Sequence, residues 1–202
     1  MCKWLQLMLG MALLSTVALA QIGPPDAFQV RYAANLAAGD SVVNLTNAGS
    51  VNGFDPLGDI CANVYVFAED QQLIACCACP LTPNHLKTLS VRNDLISNTL
   101  TPGVPIGVTI ALLATQNPAG AACDPTLPPA TQLAAGLRAW GTTLHAAPGG
   151  GFAVTETEFS PAGLSRTEAQ KLQSYCGFII ADGSGFGICG SCRQGAAGAA
   201  KQ

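Results

Sequence analysis

Charge is scarce in this chain. Charged residues make up 10% of its 202 positions, against about 25% in an ordinary soluble domain. The formal net charge is only −3, which leaves no electrostatic footprint for gripping nucleic acid or an anionic membrane. Histidine is scarcer still. His85 and His145 are the only two, so few side chains have an ordinary pKa suited to shuttling protons near neutrality. P-loop, H-E-x-x-H, G-x-S-x-G and EF-hand patterns are all missing, which removes the motif-borne routes to nucleotide, zinc-protease, serine-hydrolase and calcium chemistry. Beyond residue 20 no stretch reaches spanning length, about 18 apolar residues. Disorder is excluded as well, because hydrophobic residues at 49% can bury a core.

What is abundant is cysteine, with nine residues, and its meaning depends on compartment. Met1 to Ala20 carries Lys3 as a short basic n-region, an apolar run from Leu5 to Leu14, and the small-x-small signal Ala18-Leu19-Ala20. That is the layout of a cleaved export signal. Gln21 rather than Cys follows it, so no lipobox is formed. A retained anchor is the alternative, since the apolar run approaches spanning length. Cleavage takes away Cys2 and Lys3, leaving eight cysteines and a net charge of −4. The expected organisation is a signal peptide at 1–20, one β-rich domain at 21–194 and a Gly/Ala tail at 195–202.

Along that domain short alternating segments are separated by turn chemistry. Residues 28–32, 41–46, 61–67, 72–79, 86–91, 107–115, 137–145 and 152–159 read as strands. Pro80 and Pro83 are expected to end the fourth, because proline cannot donate to a ladder. Residues 116–130, rich in Pro, Gly and Ala, read as a long loop holding Cys123. One helix is expected over 166–175, opened by the capping box Ser165…Glu168 and closed at Gly177. Strands do not alternate with helices, so the fold class is mainly β: an antiparallel β-sandwich with one C-terminal helix, stapled by disulfides.

The eight cysteines left after cleavage are Cys61, Cys76, Cys77, Cys79, Cys123, Cys176, Cys189 and Cys192. As disulfides they allow 105 pairings. A hairpin turning at Glu69-Asp70 puts Cys61 opposite Ala78, or opposite Cys77 or Cys79 if its loop is odd. One of the latter two is then the partner expected for Cys61, and Cys76, on the other face, must find one elsewhere. Cys176 with Cys189 and Cys192 reads as a compact C-terminal staple. The competing reading is metal, with Cys76, Cys77, Cys79, Cys189 and Cys192 offering five thiolates. Export favours bridges, because oxidising compartments consume thiols. A thioredoxin-like role for Cys189-Gly190-Ser191-Cys192 fails, as only ten residues follow where a long helix is needed.

Other motifs have plainer explanations. Gly185-Phe186-Gly187-Ile188-Cys189-Gly190 matches a dinucleotide fingerprint in letters, but no βαβ unit follows. His85 falls in a turn and His145 at a strand end. Glu156 and Glu158 share one strand face, where two solvated carboxylates are commoner than a glycosidase pair. Trp140 is expected in the sandwich core rather than as a sugar platform. Asn44-Leu45-Thr46 would accept a glycan in a glycosylating host.

Taken together, Cys61…Cys76-Cys77-Ala78-Cys79-Pro80, Thr82-Pro83-Asn84, the run from Arg92-Asn93-Asp94 to Thr101-Pro102-Gly103, Leu137-Arg138-Ala139-Trp140-Gly141-Thr142 and Tyr175-Cys176-Gly177-Phe178-Ile179 form a familiar layout. It resembles a group of secreted, cysteine-rich bacterial proteins of uncharacterised activity, over most of the chain that follows the leader. The resemblance implies an exported bacterial protein and brings no catalytic or binding residues with it.

Three functions follow in order of expectation. First is an exported, non-enzymatic structural or interaction module at the cell surface or in the extracellular matrix. It would contact other chains or itself through exposed strand edges, with no cofactor. Second is a periplasmic thiolate metal-binding protein. Third is an extracellular hydrolase, placed last because no nucleophile–base pair is recognisable.

Overall fold

The computed structural model describes residues 21–49, 58–97, 101, 103–117, 122–126, 132–182 and 192. Nine strands and one helix follow in chain order: β1 (Phe28–Ala34), β2 (Val42–Asn47), β3 (Ile60–Phe67), β4 (Leu73–Leu81), β5 (Leu86–Ser90), β6 (Gly107–Gln116), β7 (Leu137–Ala146), β8 (Phe152–Glu158), β9 (Ser160–Pro161) and α1 (Arg166–Asp182). They form two antiparallel sheets, ordered β4-β3-β6-β1-β9 and β5-β2-β7-β8. Only β3–β4 and β7–β8 are neighbours both in chain and in sheet. Most other connections cross between the layers, as they do in sandwiches.

Strand periodicity builds the core. On β3 the alternate residues Ala62, Val64 and Val66 turn inward and join Cys77 and Cys79 of β4 with Ile110 and Leu112 of β6. From the other sheet Val43, Leu45, Leu89, Leu137 and Ala139 meet them in one cluster. Buried amides tie the layers together. Gln29 Nε2 donates to the Leu137 carbonyl at 2.9 Å, and Asn47 Nδ2 donates to the carbonyls of Gly58 and Leu81. Arg31 of β1 lies against Gly141 of β7 and donates to the Thr142 carbonyl at 2.9 Å and to Thr157 Oγ1 at 3.2 Å. A Cβ at 141 would stand 2.9 Å from the guanidinium, so the small residue makes room for the arginine.

The outer face of the five-stranded sheet is not left to water. Phe28, Tyr65, Cys76 and Leu113 form a second cluster with Leu164, Ala169, Leu172 and Cys176 of α1 and the segment before it. The helix starts as the capping box requires, with Ser165 Oγ accepting from the Glu168 amide at 3.1 Å. It does not stop at Gly177, as expected, but continues to Asp182. Leu172, Cys176 and Ile179 share one buried stripe, and their packing outweighs the roughly 1 kcal/mol that an interior glycine costs.

Pro80 does not end β4 either, although the strand stops before Pro83. The strand passes through Pro80 to Leu81. It lies at the sheet edge, where a residue without an N–H is tolerated.

Candidate functional site

Three bridges are described: Cys61–Cys123, Cys76–Cys176 and Cys79–Cys192, with Cα separations of 5.6, 5.8 and 4.9 Å. Cys77 is disulfide-bonded too, while Cys189 lies outside the described residues. These pairs correct two expectations. Cys61 bonds neither Cys77 nor Cys79, because it stands opposite Pro80. The hairpin loop has three residues, with Gln71 at φ 69° and the Ala68 amide donating to Gln72 O, and Ile74 adds a bulge. Each shifts the register by one. Cys61 therefore shares the outer face with Cys76, while Cys77 and Cys79 turn inward. The C-terminal staple is also absent in the expected form: Cys176 and Cys192 bond to opposite faces of β4 instead of to one another.

Of the sulfurs offered for metal, Cys76, Cys77, Cys79 and Cys192 are held in disulfides, so a metal site would belong to a reduced chain. No group of three or more His, Cys, Asp or Glu residues among those described is arranged around a metal. The G-x-G-x-x-G stretch at 185–190, the leader and the tail lie outside the described residues. Among the described residues no helix is long and apolar enough to cross a membrane. The disulfides fit an exported protein.

The histidines stand apart. His85 is exposed in the turn after β4, its amide donating to Thr82 O at 3.0 Å. The His145 ring pairs with Thr155 Oγ1 at 2.8 Å. Neither meets a carboxylate within ion-pair distance among the described residues. A cleft of about 580 Å³ opens at the end of the five-stranded sheet between Tyr32, Phe67, Gly107 and Thr109, with Glu69 as its only carboxylate.

The four-stranded sheet is built differently. Among the described residues no helix lies on its outer face. Register places Thr88, Asn44, Trp140 and Glu158 in one row straight across β5, β2, β7 and β8. Trp140 is 36% exposed between buried Ala139 and Gly141, so it is a surface residue and not part of the core as expected. β7 alternates, and Trp140 has the outward parity. Asn44 is fixed from both sides: its Oδ1 accepts from Thr88 Oγ1 at 2.9 Å, and its Nδ2 donates to Glu156 Oε1 at 3.0 Å. Beside Glu158 a cleft of about 400 Å³ is lined by Asp26, Gln29, Arg138, Phe159 and two prolines. There Arg138 Nη1 meets Asp26 Oδ2 at 2.6 Å. Partial burial raises the pKa of Asp26, but hydrogen bonds from Arg138 and the Gly136 amide outweigh it and hold the carboxyl below its ordinary value.

β8 is the outermost strand of this sheet. All seven of its residues are exposed, and among the described strands it pairs only with β7. Phe152 and Val154 are 46% and 62% exposed along it. β5, at the opposite edge, runs into a π-helical turn (Val91–Leu95). Asp40 ties that end by accepting from Ser90 Oγ and the Arg92 amide. Compared with known proteins, the chain matches no family model, no curated protein and no solved structure.

Proposed function

We propose that the protein is a non-enzymatic structural or interaction module working outside the cytoplasm, at the cell surface or in the extracellular matrix. It joins other protein chains, including copies of itself, through an exposed strand edge. The observation that carries this reading is β8, a seven-residue strand exposed along its whole length with one neighbour among the described strands. Edge strands are ordinarily blunted by charged side chains, above all lysine, by proline or by a bulge. β8 has no lysine or proline, its charges are confined to Glu156 and Glu158 at one end, and its pairing with β7 runs without a register shift, which leaves residues 152–155 as an uncharged edge. An extended segment can add to such an edge by main-chain hydrogen bonds, with side-chain contacts at alternate positions giving selectivity.

Sedimentation velocity of the purified full chain over a wide concentration range tests this. Concentration-dependent dimers or filaments that vanish in Phe152→Lys/Val154→Lys are expected. A strict monomer that binds no surface partner overturns the reading.

A further inference from the structure

We infer that the outer face of the four-stranded sheet, centred on Trp140, binds a neutral polysaccharide. This goes beyond edge pairing, because it uses the face of the sheet and not its rim.

A tryptophan normally repays its size by burial. Here the indole stands at 36% exposure in a row whose other members are a hydroxyl, an amide and a carboxylate: Thr88, Asn44 and Glu158. Strands lie about 4.8 Å apart, so the row spans roughly 15 Å across the sheet. Its hydrogen-bonding groups are held before any ligand arrives. The Asn44 amide is clamped between Thr88 and Glu156, and its second N–H meets no acceptor among the described residues. Glu156 keeps its second oxygen. Preset groups of this kind lower the ordering cost of binding.

A flat aromatic ring beside fixed donors and acceptors matches a pyranose. The C–H face of the sugar covers the indole, and its rim hydroxyls reach the amide and the carboxylates. The cleft of about 400 Å³ beside Glu158 extends the surface past the row, giving a second sugar unit a place to sit. Charge then selects among glycans. Glu156 and Glu158 have no cation within ion-pair distance among the described residues; Arg31, which acts on Glu156 through space, donates to the Thr142 carbonyl and Thr157 Oγ1, and the nearby Arg138 is committed to Asp26 at 2.6 Å. Three carboxylates against two guanidiniums leave the face net negative, which disfavours polyanions such as acidic glycans and favours neutral chains.

The test uses the full chain with Trp4→Phe, so that Trp140 is its only tryptophan and emission reports this face alone. It is titrated with cellohexaose, mannohexaose, the hexamer of N-acetylglucosamine and polygalacturonate. A saturable emission change with at least one neutral probe is expected, with none from polygalacturonate. By calorimetry, Trp140→Ala loses about tenfold or more in affinity while Trp140→Tyr retains part of it. If Trp140→Ala melts far below the parent, Asn44→Ala and Glu158→Ala replace it, each expected to lose affinity about threefold or more. Silence toward every neutral probe, equal binding by the variants, or binding of polygalacturonate alone overturns the inference. So does loss of self-association in Trp140→Ala without any glycan response, which would make the face a protein contact. Phe152→Lys/Val154→Lys should still bind the glycan, so failure of the edge reading and failure of this one are separable.

Discussion

The two sheets of this sandwich are finished in opposite ways. The five-stranded sheet is packed on both sides, by the shared core within and by α1 over much of its outer face. Cys61, Cys76, Cys77 and Cys79, all on β3 and β4, engage in disulfides. The four-stranded sheet contains no cysteine in its strands, and among the described residues its buried cluster lies on one side only. Its outer face shows Trp140, Asn44 and two carboxylates, and its edge shows β8. Cross-linking is concentrated in the sheet that α1 covers, and the exposed row of Trp140, Asn44 and Glu158 lies on the sheet whose strands carry no disulfide. A small set of long-range bridges can in this way free a whole sheet face from structural duty.

The sharpest way to break the contrast is to unfasten the closed sheet. Cys76→Ser/Cys176→Ser opens a closure spanning 100 residues, for which loop entropy gives about 4–5 kcal/mol. Thermal unfolding should fall by roughly 10 °C or more, and amides of α1 should lose exchange protection first. A fall below about 3 °C would mean that packing, not the bridge, holds the helix.

Within the open sheet, the inward and outward sides should differ just as plainly. Leu45→Ala, at a fully buried position of β2, is expected to cost about 2–5 kcal/mol in chemical denaturation. Val154→Ala on exposed β8 should stay within about 0.5 kcal/mol. Similar losses at both positions would show that β8 is covered in solution.

The smallest effect lies where the layers meet. The Asp26 carboxyl is held below its ordinary value of 3.8. Its contribution is therefore fully present above that pH and is lost as pH falls through the lower folded value. Asp26→Asn should lower the melting temperature slightly at neutral pH, and the two curves should converge as the pH drops below 3.8. A constant gap down to strong acid would assign the loss to packing instead.

Much of the fold is legible in the residues, because period-two alternation is a local property. All eight expected strand positions are occupied by β1 to β8, and the capping box at Ser165 opens the helix. Sheet order and disulfide pairing are not local. They depend on a three-residue hairpin loop and on the bulge at Ile74, and an error of one residue in either moves Cys61 to the wrong face. The end of α1 was hidden because Gly177 reads as a stop until the packing of Ile179 is known. Trp140 misleads for a related reason. Its size argues for the core, but its parity on β7 decides, and that parity is countable from buried Ala139. Within the candidate site, Glu156 and Glu158 do share one face as the alternation implies, whereas the contact of Glu156 with Asn44 required the order of the strands.

One feature of β4 reaches into how the molecule is made. Neighbouring cysteines there face opposite sides, and the described partners of Cys76 and Cys79 lie 100 and 113 residues later in the chain. Neither bond can close until the chain has grown past Cys176 and Cys192 respectively. Until residues 176 and 192 have been added, Cys76 and Cys79 therefore lack the partners they hold in the folded protein.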